Sequence, residues 1–177
     1  MTNARDISLY KTAITRFTNE TWEENLRWKE KANMTSRYIY NTLSPIPVSL
    51  DGIPNVFMVE MNISTKQIIG VGLVKNRCCL APYRVYKNNM YNYYSYLTKY
   101  HMNREEFTEK ELEKIRELEL CLFTGFGHLI RGAGISRLPE PLRHIGGRGK
   151  GRIITEFDTK YDILFYHAFA RKYRKTE

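Results

Sequence analysis

Val56-Phe57-Met58-Val59-Glu60-Met61, followed by Asn62-Ile63-Ser64-Thr65-Lys66 and then by Gln67-Ile68-Ile69-Gly70-Val71-Gly72-Leu73-Val74, is the stretch that decides the fold. Two apolar runs rich in β-branched residues, separated by a short polar segment, predict a β-hairpin. Gly70 and Gly72 are two residues apart and so share one face of the second strand, where a side chain from elsewhere can press on bare backbone.

Upstream, Ser44-Pro45-Ile46-Pro47 excludes helix, since each Pro removes an N–H and biases its predecessor towards extended geometry. A loop follows, ending at Asp51-Gly52-Ile53-Pro54. Thr21 with Glu24 three residues later reads as a capping box and predicts a helix over 22–32, with Trp22 and Leu26 on one face. Ile7, Tyr10, Ile14 and Phe17, spaced by three and four, predict a short amphipathic helix or a strand leading into one. Downstream, Tyr83-Arg84-Val85-Tyr86 and Tyr91-Asn92-Tyr93-Tyr94-Ser95-Tyr96-Leu97 read as two further strands joined at 87–90. A capping box at Thr108 and Glu111 opens a helix whose apolar stripe is Leu112, Ile115, Leu118 and Leu122. The Gly-rich segment 123–135 reads as a structured loop with a short strand, and Ile163, Tyr166, His167 and Ala170 predict a terminal helix.

These elements predict an α+β fold: a small, curved or barrel-like, mainly antiparallel sheet flanked by helices. Residues 1–142 form the expected core domain, and 143–177 a basic C-terminal extension with a Gly-rich stretch and a terminal helix. A chain of 177 residues buries enough surface to fold without staples. Three cysteines, Cys78, Cys79 and Cys121, two of them adjacent, argue against a disulfide framework. No apolar run reaches the eighteen or so residues of a membrane span, and Met1-Thr2-Asn3-Ala4-Arg5-Asp6 lacks the apolar core of a signal peptide. The expectation is a soluble protein of a reducing compartment with no membrane partner, in the cytoplasm or nucleus, or in a virus factory or virion if its source is viral.

Charge carries the functional expectation. The net charge is +9, and residues 128–177 hold eleven Lys and Arg against five acidic residues, hence two thirds of the excess. Arg143-His144-Ile145-Gly146-Gly147-Arg148-Gly149-Lys150-Gly151-Arg152 concentrates it. Such asymmetry points to a polyanionic partner, DNA or RNA, with Arg131, Arg137, Arg143, Arg148, Lys150 and Arg152 as backbone contacts. Thirteen Tyr, eight Phe and two Trp supply rings that fill cores and also stack on bases; Trp22, Trp28 and Tyr38 are the stacking candidates. Gly125-x-Gly127 and Gly132-x-Gly134 lack the spacing of dinucleotide and P-loop signatures, so their glycines read as conformational, with a phosphate cradle beside Arg131 and Arg137 as the alternative. No catalytic residue, cofactor or metal is expected. A zinc site from Cys78, Cys79, Cys121 and a His lacks paired-ligand spacing, and His128 is the candidate only in a rival reading as an enzyme acting on nucleic acid. A second rival is a structural, virion-associated protein that docks its basic extension on a protein partner.

The order of helical N-terminus, hairpin with Gly70-Val71-Gly72, aromatic strands and late helix resembles the PUA-like superfamily, including EVE, ASCH and YTH domains, over residues 5–138. The resemblance implies a small barrel with a pocket for a nucleobase, often a modified one, beside the glycine-bearing strand. The tryptophan that a YTH-type cage places after the hairpin has no counterpart here. The stretch Gly127-His128-Leu129-Ile130-Arg131-Gly132-Ala133-Gly134-Ile135 is also similar to segments of uncharacterised proteins of large DNA viruses.

If the basic stretch touches phosphate, affinity for duplex DNA falls steeply with salt, each neutralised phosphate contributing a slope of about −0.9 in log K against log[salt]. Replacing Arg148, Lys150 and Arg152 by Ala is expected to flatten that slope by roughly two to three units, read by fluorescence anisotropy over a salt series. An unchanged slope would show that these residues face elsewhere.

Overall fold

In the computed structural model of the chain, which describes residues 4–124, 128–138 and 150–173, the expected hairpin forms and stands at the centre of the molecule. In chain order the elements are α1 (Ala4–Ile7), β1 (Tyr10–Phe17), α2 (Asn19–Lys31), β2 (Tyr38–Thr42), β3 (Asn55–Asn62), β4 (Gln67–Lys75), β5 (Tyr94–Thr98), β6 (His101–Asn103), α3 (Glu109–Phe123), β7 (Ser136–Arg137) and α4 (Lys150–Tyr173). The fold is α+β. Five strands form one mixed sheet in the order β6-β4-β3-β1-β7, and β2 pairs with β5 in a second sheet.

β3 is buried at all eight positions, so both of its faces must be covered. Its alternation divides the interior in two. Phe57, Val59 and Met61 point into a core built with Ile115, Leu118 and Leu122 of α3 and Tyr161, Phe165 and Phe169 of α4. Val56 and Met58 point the other way, into a core shared with Ile39 and Tyr40 of β2 and Tyr96 of β5. The result is three layers: helices α3 and α4, the five-stranded sheet, and the two-stranded sheet with α2. No helix among the described residues is long and apolar enough to cross a membrane.

The sheet is open and not closed into a barrel, contrary to expectation. Residues 10–17 form strand β1, which runs parallel to β3 in register from Tyr10 opposite Asn55 to Phe17 opposite Asn62. A parallel neighbour needs a long crossover, here supplied by α2 and β2, and this makes the sheet mixed. Of the two expectations for this segment the strand leading into a helix holds, and the helical alternative arose because Ile14 serves one core and Phe17 the other, a two-sided burial that resembles a helical stripe.

Two further expectations are corrected. Residues 83–86 are not a strand. Their backbone is satisfied by side chains instead: the Asn92 Oδ1 accepts from the N–H groups of Val85 and Tyr86, and the Ser95 Oγ accepts from that of Tyr83. The cap of α2 lies at Thr18, paired reciprocally with Thr21, so the helix starts at Asn19 and Leu26 faces solvent at 39 % exposure. In α4 the inward face is Tyr161, Phe165, Ala168 and Phe169, while Ile163 and His167 are exposed. The second capping box stands as expected, with α3 capped by Thr108 and Glu111.

The hairpin glycines meet the requirement read from their spacing. A Cβ on Gly72 would lie 2.0 Å from the Tyr40 hydroxyl, and one on Gly70 would lie 2.7 Å from Glu60 Oε2 and 2.8 Å from the His101 ring. Gly72→Val is therefore expected to cost about 1–3 kcal/mol or more, as overpacking does. At roughly 2–4 °C per kcal/mol, thermal melting reads this directly, and an unshifted melt would mean that the face is open.

Candidate functional site

The hairpin brings one charged residue into an otherwise apolar strand. Glu60 is 1 % exposed, on the face of β3 that looks towards the second sheet. A buried carboxylate needs donors. Its Oε1 accepts from the Tyr40 hydroxyl at 2.7 Å and lies 3.0 Å from His101 Nε2, which is 3.1 Å from Oε2. With a carboxylate on that side the ring proton belongs on Nε2, leaving Nδ1 buried without a hydrogen-bond partner. His101 stacks flat on Tyr38, ring centroids 3.6 Å apart and planes at 5°, and Lys29 Nζ stands 3.8 Å from the centroid of the same tyrosine ring. Burial lowers the Lys29 pKa, and the negative charge of Glu60 opposes that shift.

These five residues come from α2, β2, β3 and β6, so the cluster ties the second sheet to the first. Glu60, His101 and Tyr40 are each 1–2 % exposed and line neither cavity described below. The Glu60 carboxyl oxygens, the Tyr40 hydroxyl and His101 Nε2 face one another, which makes the cluster a polar lock between layers.

On the opposite face of the sheet, α4 leaves a cavity of about 520 Å3 beside the ends of β3, β4 and β5. Its walls are aromatic. Tyr10 stacks on Phe57 at 5.4 Å and meets Tyr166 edge-on at 5.1 Å, and Tyr100 meets Tyr173 edge-on at 5.1 Å. Phe169 completes the lining. Among the described residues three cations, Arg37, Lys75 and Lys99, stand around it and no Asp or Glu lines it. Lys75 Nζ donates to Asn55 Oδ1 at 2.8 Å, and Lys99 Nζ lies 5.2 Å from the Tyr100 ring. The Tyr173 hydroxyl accepts from the His101 N–H at 2.9 Å and donates to its carbonyl at 2.7 Å, fixing the wall of the cavity to β6.

A second groove of about 380 Å3 runs between α2 and the segment 83–87, lined by Trp28, Arg27, Lys31, Arg84 and Lys87 together with Glu24, Glu30 and Val85. Trp28 packs edge-on against Tyr83 at 5.3 Å. Glu24 is buried, with Lys87 Nζ 3.8 Å away and the Lys87 N–H donating to it at 3.4 Å.

The residues expected from sequence are distributed unevenly. Arg131 and Arg137 are exposed. Arg143 and Arg148 lie outside the described residues, as do the side chains of Lys150 and Arg152 at the start of α4. The glycines of 132–134 are conformational, with φ of +140° at Gly132 and +76° at Gly134, and the loop is held by Arg16, which donates to the carbonyls of Leu129 and Gly134 and to Ser136. Trp22 is half-buried edge-on against Phe17, and Trp28 lines the second groove. Both ring faces of Tyr38 are covered, by His101 and by Lys29, so it offers no face to a base. The Nδ1 of His128 is buried without a hydrogen-bond partner. Among the described residues no group of His, Cys, Asp or Glu is arranged to hold a metal ion. The lock residues were missed, although Glu60 was visible as the one charge in an apolar run opposite two glycines.

Comparison with protein families, curated proteins and solved structures finds no match to this chain.

Burial, reinforced by Glu60, raises the phenol pKa of Tyr40 well above its ordinary value, and burial likewise raises those of Tyr86 and Tyr161. A phenol whose folded pKa exceeds the unfolded value of about 10 contributes stability that is intact below that pH and is lost as pH rises through the folded pKa. Lys29, lowered by burial, acts with the opposite sign. Urea unfolding is expected to show falling stability above about pH 10. Tyr40→Phe is expected to cost about 1–3 kcal/mol at neutral pH while reducing the alkaline loss. Identical profiles for the two proteins would remove Tyr40 from the lock.

Proposed function

We propose that the protein is a non-catalytic nucleic-acid-binding domain whose cavity between α4 and the sheet receives a base, with the attached phosphates on Arg37, Lys75 and Lys99. The observation that carries this reading is the lining itself: aromatic walls, three cations and, among the described residues, no carboxylate around a cavity of about 520 Å3. Rings bind the flat, apolar faces of a base whatever its sequence, and cations favour the anionic backbone that any nucleotide brings with it. The volume falls in the range of small-ligand pockets. The net charge of +9 acts in the same direction at longer range, drawing a polyanion towards the domain.

Kinship with PUA-like domains belongs to the same proposal. In this chain, however, Gly70 and Gly72 admit Tyr40, Glu60 and His101, and the base pocket is assigned to the opposite face of the sheet.

The test uses a fluorescein-labelled twelve-residue oligothymidine. Arg37 and Lys99 are exposed, so Arg37→Glu with Lys99→Glu leaves the core intact. The double variant is expected to bind roughly tenfold or more weakly in low salt and with a shallower salt dependence. Tyr100→Ala removes a stacking ring and is expected to cost about 1–3 kcal/mol with little change in salt slope. Unaltered binding in both variants would show that nucleic acid does not enter this cavity.

A further inference from the structure

The groove beside Trp28 has the same two ingredients as the cavity, on a different part of the molecule. Arg27, Lys31 and Arg84 are exposed and form no ion pair among the described residues, while Lys87 is held near Glu24. Glu24 is therefore turned inward to the 83–87 backbone, and the cationic rim outweighs the remaining carboxylate, Glu30. Trp28 adds a half-buried ring braced edge-on by Tyr83. A braced ring loses little freedom on stacking, and cations on either side neutralise the phosphates next to a stacked base.

The two places are close along the chain. Lys31 of the groove and Arg37 of the cavity are six residues apart, so their Cα atoms lie within about 20 Å of each other even if the connection were fully extended. One strand of several nucleotides spans such a distance, and a single domain commonly covers about 4–16 nucleotides of single strand.

We propose that the Trp28 groove is a second nucleotide subsite, which engages the same single strand of nucleic acid whose base occupies the cavity. The assignment of a shared strand rests on the proposed function; the groove's own chemistry does not. A mononucleotide satisfies the cavity alone, whereas an oligonucleotide reaches both places.

The two tryptophans make the test direct. Trp22→Phe leaves Trp28 as the sole tryptophan, and its emission is followed while thymidine monophosphate or the twelve-residue oligothymidine is added. The oligonucleotide is expected to quench Trp28 and the mononucleotide to bind without quenching it. Lys31→Glu with Arg84→Glu in that background is expected to weaken oligonucleotide binding roughly tenfold while leaving mononucleotide affinity unchanged. Oligonucleotide binding that neither alters Trp28 emission nor responds to the double variant overturns the subsite. Quenching by the mononucleotide alone also overturns it, since the groove would then be an independent site. If the oligonucleotide quenches Trp28 through Lys31 and Arg84 while the mononucleotide fails to bind at all, the cavity reading falls and the groove stands as a strand-binding surface.

Discussion

A carboxylate sealed between two sheets is the constraint around which this protein is arranged. Glu60 stands on a central strand at 1 % exposure, and its carboxyl group is met by a phenol from β2 and an imidazole from β6. Those donors reach it only because β4 presents two glycines where side chains would stand. Breaking a buried pair by removing one partner typically costs about 3–5 kcal/mol, whereas building one gains little over an apolar contact. The lock is thus weak as a source of stability and strong as a source of uniqueness. It accepts one register of the second sheet on the first, since a slip of one residue would swing Tyr40 to the other face.

Much of the architecture was legible because its signals are local. The hairpin, the glycine face and the cap of α3 each follow from a few adjacent residues whose geometry leaves little choice. Open or mistaken readings arose where the deciding partner is distant. β1 is a strand because β3 lies beside it, yet the two are separated by α2 and β2. Residues 83–86 have strand-forming side chains but surrender their N–H groups to Asn92 and Ser95. The bulge opposite Glu60 and Met61, which leaves Ile69 without a partner, leaves no mark in the hydrophobic pattern at all.

The candidate site was less legible than the fold for the same reason. Its walls come from β1, β3, β4, the β5–β6 turn and α4, and no two of the aromatic side chains that meet across it are neighbours in sequence. Counting charges along the chain drew attention to the segment 143–152, whereas the cations around the cavity, Arg37, Lys75 and Lys99, are scattered singly among unremarkable stretches. Abundance of tyrosine was visible, but which rings meet in space was not. Tyr38 shows the difficulty: it has the residue type of a stacking platform, yet its neighbours in space have taken both of its faces.

The attachment of α4 has a consequence for how the chain comes to be folded during synthesis. The large core needs Tyr161, Phe165 and Phe169, and β6 is gripped by the hydroxyl of Tyr173. All of these are made roughly a hundred residues after β4 is complete. At about 5–20 residues per second, the face of the finished hairpin that α4 covers stays without that helix for roughly 5–20 s. Over that interval Phe57, Val59 and Val71 lack their cover from α4, and the other face, whose core reaches no further along the chain than Ile135, is free to assemble first. The order of synthesis thus favours closing the polar lock before the aromatic cavity exists.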